Sequence, residues 1–253
     1  MSDELINWFL VFTRVGAMLG VLPVLSSRTV PVKVRLALGA VIALLCVPLT
    51  SSTAIENSSF WSVIRLLLIE VTVGLLLGFV CRFIFFALEL GGGIIAAEMG
   101  LMLPSEFNQL TGAASMAPAT ILYWMGVMLL FSLDLHHWII VGFQRSYGLV
   151  PIGGAHLGEA LFVDVLSRSR QVFVIALQIS APLMAVSFVV TLVFSILSRA
   201  VPQMNVFNES LPVRTLVGLT VFGLTCTFMA QHIANYLRKL PDDMVSVARL
   251  MGG

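Results

Sequence analysis

The chain has 253 residues, of which 58% are hydrophobic and only 11% charged, and its mean hydropathy is +1.01. Soluble domains carry about a quarter of their residues as charges, so this composition excludes a free globular protein and places the chain in or against a membrane. Fourteen Lys and Arg against 13 Asp and Glu leave a net charge of +1. These charges are scattered and form no basic face, which excludes nucleic acid as a partner.

From the N-terminus, Leu5 to Leu25 is an apolar segment with an acidic start, unlike a secretory signal, and is expected to be retained. Arg14 sits near its middle. An arginine at mid-bilayer costs roughly 2.5 to 3.5 kcal/mol, so it is expected to meet a carboxylate of a neighbouring helix rather than lipid. Pro23, Arg28, Pro31, Lys33 and Arg35 form a short basic linker. Leu36 to Leu49, ending at Pro48, is apolar but shorter than the about 20 residues a spanning helix needs. Thr50 to Ser59 reads as a polar surface loop.

Phe60 to Leu90 is the longest apolar run. Glu70, Gly74, Gly78 and Arg82 recur every four residues and form one stripe on a helix. The glycines let a second helix approach closely, and the charges at the ends of the stripe are expected to meet partners there. Gly91 to Ala96 fits G-x-G-x-x-A, but no strand precedes it, so no dinucleotide site is expected. Glu89 to Pro118 holds a triple glycine, Met99, Met102, Glu106, Phe107, the small run Gly112, Ala113, Ala114 and Ser115, and Met116, with no Lys or Arg. It is too polar for lipid and too apolar for an ordinary loop, and is expected as non-helical chain inside a protein-lined space.

Ala119 to Phe131 and Trp138 to Phe143 are apolar and flank Asp134, His136 and His137. Adjacent histidines are expected to point to different parts of a helix surface, so this cluster reads as a cap or interface and not as a metal site. Arg145 to Arg170 is the most soluble-looking stretch, with a turn at Pro151, Gly153 and Gly154 and a short amphipathic helix after it. Val172 to Ser198, with Pro182 predicting a kink, and Thr215 to Tyr236 are the last apolar segments. The prolines and asparagines of Arg199 to Arg214 are expected to join them in a tight hairpin. Cys46, Cys81 and Cys226 lie far apart within apolar runs and are expected as core residues without disulfide or metal. The basic residues are balanced between the two sides and do not orient the segments.

Several of these pieces carry a resemblance: Arg14 with Pro23, Pro31 and Arg35; Glu70-x-x-x-Gly74-x-x-x-Gly78; Phe131 with His136, His137, Ser146 and Pro151; and Ser198 to Phe207 with its Arg-x-x-Pro-Gln-x-Asn-x-Phe pattern. Over nearly the whole chain the sequence resembles the FliR/SctT family of type III export-gate subunits, although Ser105-Glu106-Phe107 stands where the family has an Asp-Pro element.

The resemblance implies an all-α membrane protein with about six hydrophobic segments in kinked helical hairpins, forming one domain over residues 1–253. Its expected parts are N-terminal hairpins (1–90), a central plug-like loop (91–118), C-terminal hairpins (119–240) and a short polar tail (241–253). It also implies a non-enzymatic, cofactor-free subunit in the bacterial inner membrane at the flagellar basal body. There it joins FliP-like and FliQ-like subunits, with FlhB-like and FlhA-like components nearby and membrane lipid around, in a channel for unfolded export substrates. Met99, Met102, Phe107, Gly112, Ala113, Ala114 and Met116 are the expected plug residues. Arg199, Pro202, Gln203, Asn205 and Phe207 are expected to serve the hairpin, and Arg14, Glu70 and Arg82 to be intramembrane charges. The alternatives are an injectisome export-gate subunit, or a stand-alone secondary transporter or ion channel that uses Arg14, Glu70, Arg82 and His136 as a pathway.

Overall fold

The computed structural model describes residues 2–27, 30–49, 60–102, 116–201, 203 and 205–253. Among them there is no strand. The helices are α1 (Ser2–Val21), α2 (Val32–Cys46, followed by a 3-10 turn Val47–Leu49), α3 (Phe60–Glu98), α4 (Ala117–Ser132), α5 (Leu135–Leu149), α6 (Glu159–Ala200), α7 (Val206–Leu237) and α8 (Leu240–Gly252). By length and apolar content α3, α6 and α7 are able to cross a membrane, whereas the apolar part of α1, Leu5–Val21, and α2, of 15 residues, are shorter. The chain is an all-α protein with membrane-spanning-capable helices.

The helices sort into two compact units that do not follow chain order. The first combines residues 1–83, 133–169 and 238–253, and the second residues 84–132 and 170–237. The hairpin halves expected from linear reading therefore interleave, because α3 and α6 are each long enough to serve both units.

In the first unit α1 packs on α2 and α5 packs on α8. The α1–α3 seam follows the glycine stripe. A Cβ at Gly74 would strike the Arg14 carbonyl and the Ala17 side chain, and one at Gly78 would lie 2.7 Å from the Met18 carbonyl oxygen. Only glycine lets the two backbones come this close. The stretch 241–253, expected as a polar tail, is instead α8. Its Leu240, Met244, Val247, Ala248 and Met251 recur at helical spacing and are buried, so a charged sequence carries a continuous apolar stripe. Arg168 of α6 holds this helix by an ion pair to Asp243 (2.7 Å) while also bonding Asp164 (2.6 Å). The amphipathic helix expected behind the Pro151 turn is the start of α6 rather than a separate element.

In the second unit α3 continues through Gly91, Gly92 and Gly93, correcting the expectation of non-helical chain from Glu89. Burial outweighs the poor helix propensity of glycine here. Gly91 lies against the backbone of Ala176 on α6, and Gly92 against that of Ala119 on α4. Pro182 lies inside α6 and Pro212 inside α7, so the helix break between α6 and α7 is shorter than the expected Arg199 to Arg214 hairpin. The expected surface loop, Thr50 to Ser59, lies outside the described residues.

Gly74→Val should destabilise the protein by at least about 1 to 3 kcal/mol, since an overpacked side chain here meets backbone that cannot yield. Gly16→Ala on the same α1 helix, where a Cβ meets nothing within 4 Å, should be neutral or stabilising. Thermal unfolding of the two variants in detergent checks this ordering.

Candidate functional site

Two constellations stand out, one in each unit. In the first, Arg14 and Glu70 are completely buried. Arg14 donates Nε–H to Glu70 Oε2 (2.5 Å) and Nη2–H to Glu70 Oε1 (3.0 Å), a two-point contact that matches the planar guanidinium to the carboxylate. Its Nη1–H goes to the carbonyl of Val150 (3.1 Å), and its Cζ lies 4.1 Å from the Tyr147 ring centroid. Glu70 Oε1 also accepts the Gly153 backbone N–H (2.9 Å). Gly153 has φ +75 and occupies the third position of a turn closed by Gly154 N–H to the Pro151 carbonyl, a place that requires positive φ. One ion pair thus joins α1, α3, the end of α5 and the turn after it. Arg82, at the other end of the glycine stripe, is half-buried and donates to Ser26 Oγ at 3.4 Å.

The second constellation is the exit of α3. Gly100 (φ +72) ends the helix in a Schellman arrangement, with Leu101 N–H bonded to the Ala96 carbonyl and Gly100 N–H to that of Ala97. The carbonyls left over at this end are taken up by side chains of the other helices. Thr215 Oγ1–H donates to the Met99 carbonyl (2.8 Å) and Ser187 Oγ–H to that of Glu98 (3.4 Å). Met99, expected to line a plug surface, is instead 1% exposed. Its side chain lies over Gly218, where a Cβ would come within 2.6 Å of Met99 Cγ. It anchors the chain to α7 just before the central stretch. Met102 is half-buried and Met116 exposed, while Phe107, Gly112, Ala113 and Ala114 lie outside the described residues.

Of the hairpin residues, Arg199 is exposed in the last turn of α6, where a cation complements the helix C-terminus. Gln203 is exposed. Asn205 caps α7, its Oδ1 accepting the Asn208 N–H (3.4 Å) and its carbonyl the Glu209 N–H (3.1 Å). Pro202 and the side chain of Phe207 lie outside the described residues.

The expectation that His136 and His137 diverge is corrected. Their ring centroids are 4.0 Å apart, and ligand atoms of Asp134, His136 and His137 all lie within 4.8 Å of one another. The chain enters α5 through Asp134 in a left-handed conformation, and both histidines lie in the first turn of the helix itself.

Removing one partner of the buried pair, as in Arg14→Gln or Glu70→Gln, should cost about 3 to 5 kcal/mol by leaving a buried charge uncompensated. The double variant Arg14→Gln/Glu70→Gln should be less damaging than the sum of the two singles. A double-mutant cycle on detergent-solubilised protein measures this, and simple additivity would rule out the clamp.

Residues 5–240 match the family model described as bacterial export proteins, family 1. Among similar proteins, flagellar biosynthetic protein FliR of Caulobacter vibrioides is 29% identical, covering 92% of this chain and 93% of the relative. The FliR of Bacillus subtilis is 26% identical over 97% of this chain and 95% of its own length. That of Escherichia coli is 25% identical over 97% and 96%. With a match spanning nearly all of its helices, the chain belongs to family 1 of the bacterial export proteins, the FliR family.

Proposed function

We propose that the protein is a core membrane subunit of the flagellar type III export gate. In this reading it builds, with FliP-like and FliQ-like subunits, the channel for unfolded export substrates, and its central stretch helps to close the pore. The observation that carries membership of an assembly is the outer surface of α6. Large apolar side chains are exposed along it from Phe162 through Leu166, Phe173, Leu177 and Phe188 to Ile196. At 1.5 Å per residue that stripe is about 51 Å long, against about 30 Å of hydrocarbon, and even a tilt of about 40° does not hide it. Lipid alone leaves part of it in water, so other protein must cover it. The trio Gln178, His232 and Tyr236 supports the same reading. Both the Tyr236 hydroxyl (3.1 Å) and His232 Nε2 (3.2 Å) meet Gln178 Oε1 on an exposed surface of helices otherwise apolar enough for a membrane, a position that suits a protein neighbour better than lipid.

The buried Arg14–Glu70 pair disfavours the solitary transporter. Both groups are saturated by fixed partners and sealed from solvent, whereas a proton or substrate pathway needs groups that exchange with water. The central stretch fits a plug in its anchoring. Met99 and the α3 exit are bolted to α6 and α7, so the chain beyond them starts from a fixed point, and the small side chains from Gly112 to Ser115 leave room to repack. The identities to flagellar relatives favour the flagellar branch over the injectisome. Energy for export comes from other components, since the chain carries no nucleotide-binding motif.

Co-expression with FliP-like and FliQ-like subunits should yield a detergent-resistant complex, while the protein alone should be poorly stable. A monodisperse solitary protein that conducts ions in liposomes would establish the transporter reading instead. Within the complex, deletion of residues 106–114 should leave assembly intact and raise the leak to a normally excluded solute; an assembled complex as tight as wild type removes the plug. Pro202→Ala and Arg199→Glu should lower motility or complex yield, and wild-type behaviour of both would show the α6–α7 connection to be dispensable.

A further inference from the structure

We propose that Asp134, His136 and His137 form a binding site for a divalent transition-metal ion at the start of α5. Asp134 Oδ1 lies 3.8 Å from His137 Nδ1, the two imidazole rings are tilted by 40° with centroids 4.0 Å apart, and one ligand atom from each residue falls within a 4.8 Å cluster. Metal–nitrogen and metal–oxygen bonds of about 2.0 to 2.2 Å put neighbouring donors about 3.3 to 3.5 Å apart around a tetrahedral ion. Closing the cluster onto an ion therefore takes a movement of about 1 Å, within reach of the exposed side chains of Asp134 and His137.

The backbone supplies an independent reason. Asp134 is the single non-glycine residue with positive φ among the described residues (φ 55). An aspartate at a helix start ordinarily accepts a backbone N–H of the first turn, yet Asp134 makes no side-chain cap bond and turns its carboxylate toward His137. The chain thus holds an unfavourable conformation and forgoes a cap, and the result is a carboxylate and two imidazoles with ligand atoms within 4.8 Å of one another. Leu135 and Ile139, both buried, fix the first turn beneath them.

The donor set decides the ion. Two imidazole nitrogens and one carboxylate oxygen suit Zn2+, Co2+, Ni2+ or Cu2+ and not Ca2+ or Mg2+, which take oxygen ligands in larger number. Three protein ligands leave the remaining position to water. A bound ion ties Asp134 to the first turn of α5.

The test is Zn2+ titration against a chromophoric chelator, using full-length protein in detergent after removal of any histidine tag. Wild type should bind one Zn2+ per chain, with no competition from Ca2+. His136→Gln/His137→Gln should abolish binding and Asp134→Asn weaken it about tenfold or more. His156→Gln/His232→Gln, which changes the other two of the four histidines, should bind like wild type. As a readout on the unaltered chain, Zn2+ should protect His136 and His137 from carbethoxylation by diethyl pyrocarbonate, read by peptide mass spectrometry. Absence of saturable binding, binding unchanged in the His136/His137 variant, or equal modification with and without Zn2+ overturns the proposal.

Discussion

An arginine in the middle of an apolar helix is tolerable only if every one of its requirements is met inside the protein, and the first unit is arranged to meet them. Arg14 takes a two-point contact from Glu70, a carbonyl from Val150 and a ring face from Tyr147, and Glu70 takes its further bond from Gly153. The requirement propagates outward. For the carboxylate to arrive, α3 must lie almost backbone to backbone on α1, which is why Gly74 and Gly78 face Arg14, Ala17, Met18 and Val21. For the Val150 carbonyl and the Gly153 N–H to arrive, the chain must turn sharply after α5, which is why Gly153 adopts positive φ. The turn in turn places His156, whose N–H bonds the Met251 carbonyl and so ties down α8. Such a pair is weak evidence for added stability, since desolvation offsets much of its attraction. Its contacts do bring four segments together around one pair of charges.

The second unit solves a different problem, that of ending a long helix at a chosen point and holding the start of the central stretch there. α3 stops where Gly100 can turn left-handed, and hydroxyls of Ser187 and Thr215 receive its last carbonyls. Met99, seated on Gly218, makes the end of α3 part of the core. The long faces of α6 and α7 carry exposed large apolar side chains, among them Phe173, Leu177, Leu216 and Leu224.

Much is legible in the sequence wherever the physical signal is local or repeated. Composition places the chain at a membrane, the four-residue stripe from Glu70 to Arg82 announces a close helix contact with charges at its ends, and Asn205 announces a cap. The central stretch misleads at its edges, because a run of three glycines signals a break by propensity alone while packing against Ala119 and Ala176 keeps it helical. The tail misleads through its charges, although Met244, Val247, Ala248 and Met251 carry the apolar spacing that reveals α8.

By itself, then, the sequence determined that the protein is helical and membrane-associated, because those properties come from composition, periodicity and segment length. Only the tertiary structure decided that Glu70 is the partner of Arg14, 56 residues away. It also decided that α3 and α6 each serve two units, that Met99 is an anchor, and that Asp134, His136 and His137 converge. The physical reason is the same in each case. A single side chain or helix face carries no signal about which distant segment will approach it, and that choice is made by summed packing, where close backbone contact at a glycine or one satisfied charge outweighs local preference.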